Sequence, residues 1–373
     1  MRTTNPSSRS ATSTSRGRAR DARIARAIEA WFGASARELP WRREGRSGRR
    51  DPYRSVVSEF MLQQTQVSRV VPAFERFLAR FPDVRALAAA PVDEVMRAWE
   101  GLGYYRRARL LHRAAQEIVD RHGGEVPSDL AELRSIPGIG AYTAGSVASI
   151  VFGARTPIVD ANVRRVVMRI DGRDREESEA DRTAWAWKRA GALVEGAARP
   201  GVLNEGVMEL GALICLPRGP LCGVCPVASE CRARARGAQG RIPGAGKRAA
   251  RTEVVHQVVV IRDRAGRLLV EQRPEGGMWA GLWQFPTREG PMPGLDGPAL
   301  GAWAGVRRVE EAGSFERMTT HRAVRFQVWR ASGPVRLATG GRRWVALDEA
   351  EGVALSVPHR RILGRWGAGE TQS

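Results

Sequence analysis

The sequence predicts a multidomain chain of α plus α+β class, with an all-α part first and a β-rich part second. Three observations carry this. From Pro52 to about Leu210 apolar residues recur at helical spacing, and helices repeatedly begin after Pro or Asp, as at Pro72, Pro82-Asp83, Pro91-Val92-Asp93 and Pro127-Ser128-Asp129. Residues 232–252 are basic, Gly-rich and without periodicity, which marks a linker whose charges can also touch a polyanion. Beyond it the pattern changes to period two. Val254 to Ile261 and Arg267 to Gln272 flank Asp263-Arg264-Ala265-Gly266 as a hairpin, and Arg325 to Arg330 and Arg342 to Leu347 read as further strands.

At 373 residues the chain has room for two or three cores. Its net charge of +20 favours a polyanionic partner. No apolar run of about eighteen residues is present, so no membrane partner is expected. Lys188 and Lys247 are the only lysines, so the positive charge is carried almost wholly by arginine.

In chain order, residues 1–20 hold five arginines, many Ser and Thr and no acid. A mitochondrial transit peptide has this composition, but the missing apolar face favours a disordered basic arm over residues 1–22. Ile24, Ala27, Ile28 and Trp31 then start a helix that Leu39-Pro40-Trp41-Arg42 closes, and residues 43–51 form a basic loop. The all-α domain spans 23–231, the linker 232–252, the β-rich domain 253–365 and a tail 366–373.

Three stretches carry chemistry. In Ser58-Glu59-Phe60-Met61-Leu62-Gln63-Gln64-Thr65-Gln66 one acid sits in an apolar segment and three glutamines follow. A carboxyl raised in pKa by apolar surroundings can protonate a poor leaving group near neutral pH; an exposed helical glutamate is the bland alternative. Leu130, Leu133 and Ile136 lead into Pro137-Gly138-Ile139-Gly140, after which Ala144, Val147, Ala148 and Val151 resume the helical pattern. This reads as helix, hairpin, helix, with backbone N–H groups at Gly138 and Gly140 free to approach a phosphate. Asp160 stands just before the stripe Val163, Val166, Val167 and Ile170, where an N-cap is expected; the same carboxylate would hold negative charge beside a bound sugar. The third stretch, Cys215-x6-Cys222-x2-Cys225-x5-Cys231, uses every cysteine in the chain. Four thiolates in a short loop suit tetrahedral zinc or an iron–sulfur cluster, although zinc sites usually pair two CxxC units.

These residues resemble the helix-hairpin-helix plus aspartate signature of base-excision DNA glycosylases, and the chain from about 25 to 360 is similar to the A/G-specific adenine glycosylase (MutY) family. The resemblance implies a helix-hairpin-helix glycosylase domain whose loop 215–231 holds a [4Fe–4S] cluster on Cys215, Cys222, Cys225 and Cys231. It implies that Glu59 protonates N7 of adenine and that Asp160 stabilises or captures the oxocarbenium-like sugar. Asn162 and Tyr142 would position these groups and the attacking water, and Arg42 and Glu205 would contact adenine. Gln64 would fill the gap left by the flipped base, and Tyr104 would intercalate beside the oxidised guanine; core packing is the alternative for Tyr104 and Tyr105. Related bifunctional enzymes carry a Schiff-base lysine where this chain has Tyr142, and no lysine lies in the first 187 residues. Hydrolysis without efficient strand cleavage is therefore expected.

The stretch Gly277-Met278-Trp279-Ala280-Gly281-Leu282-Trp283-Gln284-Phe285-Pro286 resembles the Nudix-like domain with which these enzymes recognise 8-oxoguanine. Residues 290–305 are almost without acids, so magnesium-dependent hydrolysis is not expected there. The lesion-reading loop aligns with Thr319-Thr320-His321, which keeps a hydroxyl and an imidazole but has Thr319 in place of the usual phenyl ring. The resemblance implies a monomer in the bacterial cytoplasm, at the nucleoid, acting on double-stranded DNA that carries A opposite 8-oxoguanine or G. The rival readings are a thymine/G mismatch glycosylase and a non-catalytic redox-sensing DNA-binding protein.

Overall fold

A computed structural model describes residues 7–44, 49–244, 251–274, 276–319, 322–332 and 341–367. Backbone packing divides the chain into two compact units, Met1–Ala88 with Arg113–Lys247, and Ala89–His112 with Arg248–Ser373. The helices run α1 (Ser7–Ser35), α2 (Pro52–Leu62), α3 (Val67–Arg80), α4 (Val84–Ala89), α5 (Val92–Ala98), α6 (Arg106–His122), α7 (Leu130–Ser135), α8 (Ala141–Ser146), α9 (Ala161–Asp171), α10 (Glu179–Glu195), α11 (Pro200–Leu213) and α12 (Arg232–Ala235).

The first unit is built around α11, whose sequence PGVLNEGVMELGAL is apolar on most of its circumference, the signature of a buried helix. Leu203, Val207 and Leu210 pack against Ile24 and Ile28 of α1 and Val163, Val166 and Val167 of α9. At roughly 1.5–3 kcal/mol for each fully buried aliphatic side chain, this cluster fixes the helices that carry the polar residues of the site. Gly211 allows a close approach to α9: a Cβ there would lie 2.7 Å from Cβ of Asn162.

Two boundaries differ from expectation. The first helix starts at Ser7, ahead of the expected boundary at residue 23, and residues 15–19 are exposed along it. Arg20 donates to Asp171 and to the Ile170 carbonyl, Arg189 donates to Asp21, and Arg23 donates to Glu230. These pairs tie residues 20–23 to α9, α10 and Glu230. The expected linker also begins late, because Ala233, Ala238 and Ile242 are buried with Met168 and Arg169 Nε donates to the Ile242 carbonyl at 2.7 Å. Residues 245–250 lie outside the described residues.

The expected hairpin is present. Asp129 caps α7 through Ala131 N and Glu132 N, and Gly138, at φ +82°, turns the chain in a conformation that favours glycine. The helix that follows is not uniform: α8 passes at Ser146 into a π turn over Val147–Val151. Asn204 on α11 donates to Ser149 Oγ and to the Thr156 carbonyl, both at 2.9 Å, and ties this turn down.

The second unit contains β1 (Thr252–Arg262), β2 (Leu268–Gln272), β3 (Trp283–Gln284), β4 (Thr287–Gly290), α13 (Gly297–Ala304), β5 (Glu310–Met318), β6 (Arg322–Ser332), β7 (Arg342–Val345), α14 (Leu347–Gly352) and α15 (Val357–Ile362). Among the described residues these strands make one mixed sheet, ordered β3-β2-β1-β6-β5, with β4 on β1 and β7 on β2. The β1–β2 hairpin is antiparallel as expected, whereas β1 and β6 run parallel from Thr252↔Arg322 to Arg262↔Ser332. Instead of alternating, β1 is buried on both faces: Val258 and Val260 join Phe326 and Val328, while Val259 and Ile261 join Leu300 and Ala304. The sequence GPALGAWA of α13 has no carboxylate, so the helix offers no magnesium ligands.

Candidate active site and cysteine loop

Four segments of the first unit converge on one cavity of about 200 Å3. That is smaller than the ~300–1,000 Å3 of sites for drug-sized ligands and suits a single base. Asp51 and Pro52 start α2, which carries Glu59 into the wall. The hairpin starts α8, which contributes Tyr142 and, one turn on, Ser146. Asp160 stands at the head of α9. Glu205 and Glu209, four residues apart, project from one face of α11.

Glu59 is 7% exposed. Burial pushes its carboxyl up to about 7, and Glu205 and Asp160 add to this while hydrogen bonding to Ser146 and Tyr142 opposes it. Ser146 Oγ donates to Glu59 Oε1 at 2.7 Å; Oε2 is buried and makes no hydrogen bond of good geometry, the Tyr142 interaction being the weaker of the two. Burial also raises Tyr142 well above the usual phenol range, so it is a neutral hydroxyl here.

Asp160 caps α9 and also lines the cavity. Its Oδ1 accepts from Val163 N at 2.6 Å and so caps α9, while the carboxylate faces the cavity. Burial raises its pKa against the bonds from Val163 and Asn162. Asn162 Nδ2 donates to Asp160 Oδ2 at 3.3 Å, and Asn162 Oδ1 accepts from Arg165 Nη2 at 2.9 Å, which sets the orientation of the amide.

On the opposite wall Arg42 Nε donates to Glu205 Oε1 at 3.1 Å and Arg50 Nη2 pairs with Glu205 Oε2 at 2.7 Å. Glu205 is buried on this wall. Burial alone would raise Glu209, but hydrogen bonds from Arg37 and Arg42 outweigh it and hold the carboxyl down at about 2. This wall therefore presents fixed charges that can hydrogen-bond a purine edge.

Sequence reasoning missed Ser146, Arg37, Arg50, Arg165 and Glu209. Only Glu209 left a signal, its i, i+4 spacing from Glu205.

Gln64 and Tyr104 adopt left-handed backbone, at φ +56° and +49°. Such strain in non-glycine residues concentrates at functional sites. Tyr105 is core, at 3% exposure, whereas Tyr104 is 49% exposed. Arg107 lies over the Trp99 and Tyr104 rings and donates to the Leu102 and Gly103 carbonyls, which fixes the turn that presents Tyr104. Thr319 closes the β5–β6 hairpin through Arg322. Thr320 and His321 lie outside the described residues.

The four cysteines line one cavity with Arg169, whose Nη1 is 3.4 Å from Cys215 Sγ and 2.6 Å from the Leu216 carbonyl. Burial raises the Cys225 thiol to about 11, and the other three cysteines add to this; bound cationic metal would reverse that cost. Among the described residues no three ligating groups are close enough to hold a single ion. Four thiols lining one cavity are a donor set that suits either an iron–sulfur cluster or zinc.

Comparison with known proteins adds independent findings. Residues 57–190 match the family described as HhH-GPD superfamily base excision DNA repair protein, and residues 257–365 match the NUDIX domain. Human adenine DNA glycosylase is 33% identical, over 89% of this chain and 72% of the relative. The adenine DNA glycosylase of Mycolicibacterium smegmatis is 43% identical, over 56% of this chain and 68% of the relative. Among solved structures, a thermostable thymine-DNA glycosylase is 27% identical, with a TM-score of 0.52 over 58% of this chain and 97% of that one.

Proposed function

The chain belongs to the adenine DNA glycosylase family, and from this premise we propose that it removes adenine lying opposite 8-oxoguanine or guanine by hydrolysis alone. The observation that carries the mechanism is the buried Glu59, tuned to about 7 in a base-sized cavity that Asp160 also lines. In the proposed reaction Glu59 gives its proton to a ring nitrogen of the flipped adenine. The C1′–N9 bond breaks with its electron pair going to the base, and Asp160 stabilises the positive charge left on the sugar. Water then adds to C1′ and its proton returns to the ionised Glu59. Asn162, held by Arg165, keeps Asp160 in place.

Tyr142 occupies the position from which a lysine would attack the sugar, and its neutral hydroxyl cannot form a Schiff base. Incubation with mismatched duplex should therefore give breaks only after alkali, with no adduct trapped by borohydride. A trapped adduct in high yield would contradict hydrolysis alone.

The likeness to the thymine-DNA glycosylase supports a second reading for the helical unit, but it leaves about two fifths of the chain unmatched. Thr320 and His321, with Tyr104, are proposed to read 8-oxoguanine. The enzyme is proposed to act as a monomer on nucleoid DNA in the cytoplasm, with arginine–phosphate contacts that weaken as salt rises.

Cys215, Cys222, Cys225 and Cys231 are proposed to hold a [4Fe–4S] cluster, which would supply a rigid, positively framed loop facing DNA. Anaerobically purified protein should contain iron and acid-labile sulfide in equal amounts and show broad visible absorbance. Zinc in their place would contradict the assignment.

A further inference from the structure

We propose that Ser146 is a positioning residue for the catalytic acid: its hydroxyl holds Oε1 of Glu59, so that Oε2 is the oxygen that delivers the proton. The inference rests on Glu59 being the acid. Ser146 and Glu59 are both buried, and their 2.7 Å contact joins positions 87 residues apart in sequence. Oε2 is buried and makes no hydrogen bond of good geometry, although Tyr142 also lies near the carboxyl. A carboxyl with one oxygen engaged and the other bare is oriented for transfer from the bare side.

The backbone sets the aim of this hydroxyl. Ser146 is the last residue of α8, one helical turn after Tyr142 and on the same face, at the junction with the π turn. Such π segments occur often at functional sites. Asn204 anchors the turn through Ser149 Oγ, so the hydroxyl is fixed from α11 as well.

The charged and titratable groups that face Glu59 are Asp160 ahead of α9, Glu205 on α11 and Tyr142 on α8. Arg42 and Arg50 neutralise Glu205, and Arg165 reaches Asp160 through Asn162. Among these neighbours the two carboxylates disfavour the ionised form of Glu59, and hydrogen bonding from Ser146 first and Tyr142 second favours it. Ser146 thus keeps the acid strong enough to give up its proton while burial keeps it protonated near neutral pH.

The test is the pH dependence of single-turnover adenine release by the full-length protein, for wild type, Ser146→Ala, Ser146→Cys and Glu59→Gln. Loss of one donor should move the basic limb of Ser146→Ala upward by about half to one pH unit. The plateau at lower pH should fall a few-fold, and Ser146→Cys, with its weaker donor, should lie between. A uniform loss of rate with the limb unmoved, or a downward shift, would overturn the role of Ser146. Glu59→Gln separates the two levels of the argument. If it retains the basic limb, Glu59 is not the acid and the inference falls with it. If it abolishes release while Ser146→Ala leaves the limb in place, only the inference falls.

Discussion

Glu59→Gln should reduce single-turnover adenine release by about 10²- to 10⁴-fold, the contribution typical of a placed general acid, while making the protein more stable above neutral pH. The two effects share one cause. Burial raises the folded-state pKa of Glu59 from 4.5 to about 7, so between those values the folded protein holds a proton that the unfolded chain has released. Stability is therefore full below about pH 4.5 and is lost as pH rises through 7. The complete shift is worth at most ~3 kcal/mol. Glutamine carries no charge to desolvate and escapes this cost, less whatever its amide loses by burial. Denaturant unfolding at about pH 4 and about pH 9 should show the variant gaining at the higher value and little at the lower. Equal stability of both proteins at both pH values would mean that Glu59 is not a desolvated acid.

Asp160→Asn should cost about 10²–10³-fold in rate, the scale for losing one electrostatic stabiliser of a transition state, with stability nearly unchanged. Asparagine caps a helix about as well as aspartate, so the bond from Val163 N survives while the charge facing the sugar is lost. Asp160→Ala removes both, and should add a stability loss of ~1 kcal/mol to a similar loss of rate. Thermal unfolding beside single-turnover kinetics distinguishes the two functions. An Asp160→Asn protein of wild-type rate would reduce Asp160 to a cap.

The two carboxylates are legible in the sequence because each breaks its local pattern. Glu59 is a lone acid in an apolar helix, and Asp160 stands where a helix must start between Pro157 and an apolar stripe. The hairpin is legible through Gly138, whose backbone requires a residue without Cβ. Ser146, Arg165 and Arg37 leave no such trace. The partners of Ser146 and Arg37 lie far away in sequence, as with Arg37 and Glu209, 172 residues apart, and a serine in a small-residue helix looks like any other. The early start of α1 is hidden for a similar reason. Residues 7–22 have no apolar face of their own, and the ion pairs to Asp171, Arg189 and Glu230 come from Arg20, Asp21 and Arg23 at the end of this stretch, whose partners lie far away in sequence. Local periodicity likewise cannot reveal that β1 pairs in parallel with β6, about seventy residues later, and so is buried on both faces.

The central claim, that adenine is the excised base and Glu59 its acid, is tested most directly by single-turnover base release. The duplexes carry A opposite 8-oxoguanine, A opposite G, or T opposite G, and wild type and Glu59→Gln are compared on each. The expected result is free adenine from the first two duplexes, faster from the first, none from the third, and loss of release in the variant. Release of thymine from the third duplex, or adenine release that survives Glu59→Gln, would contradict the account.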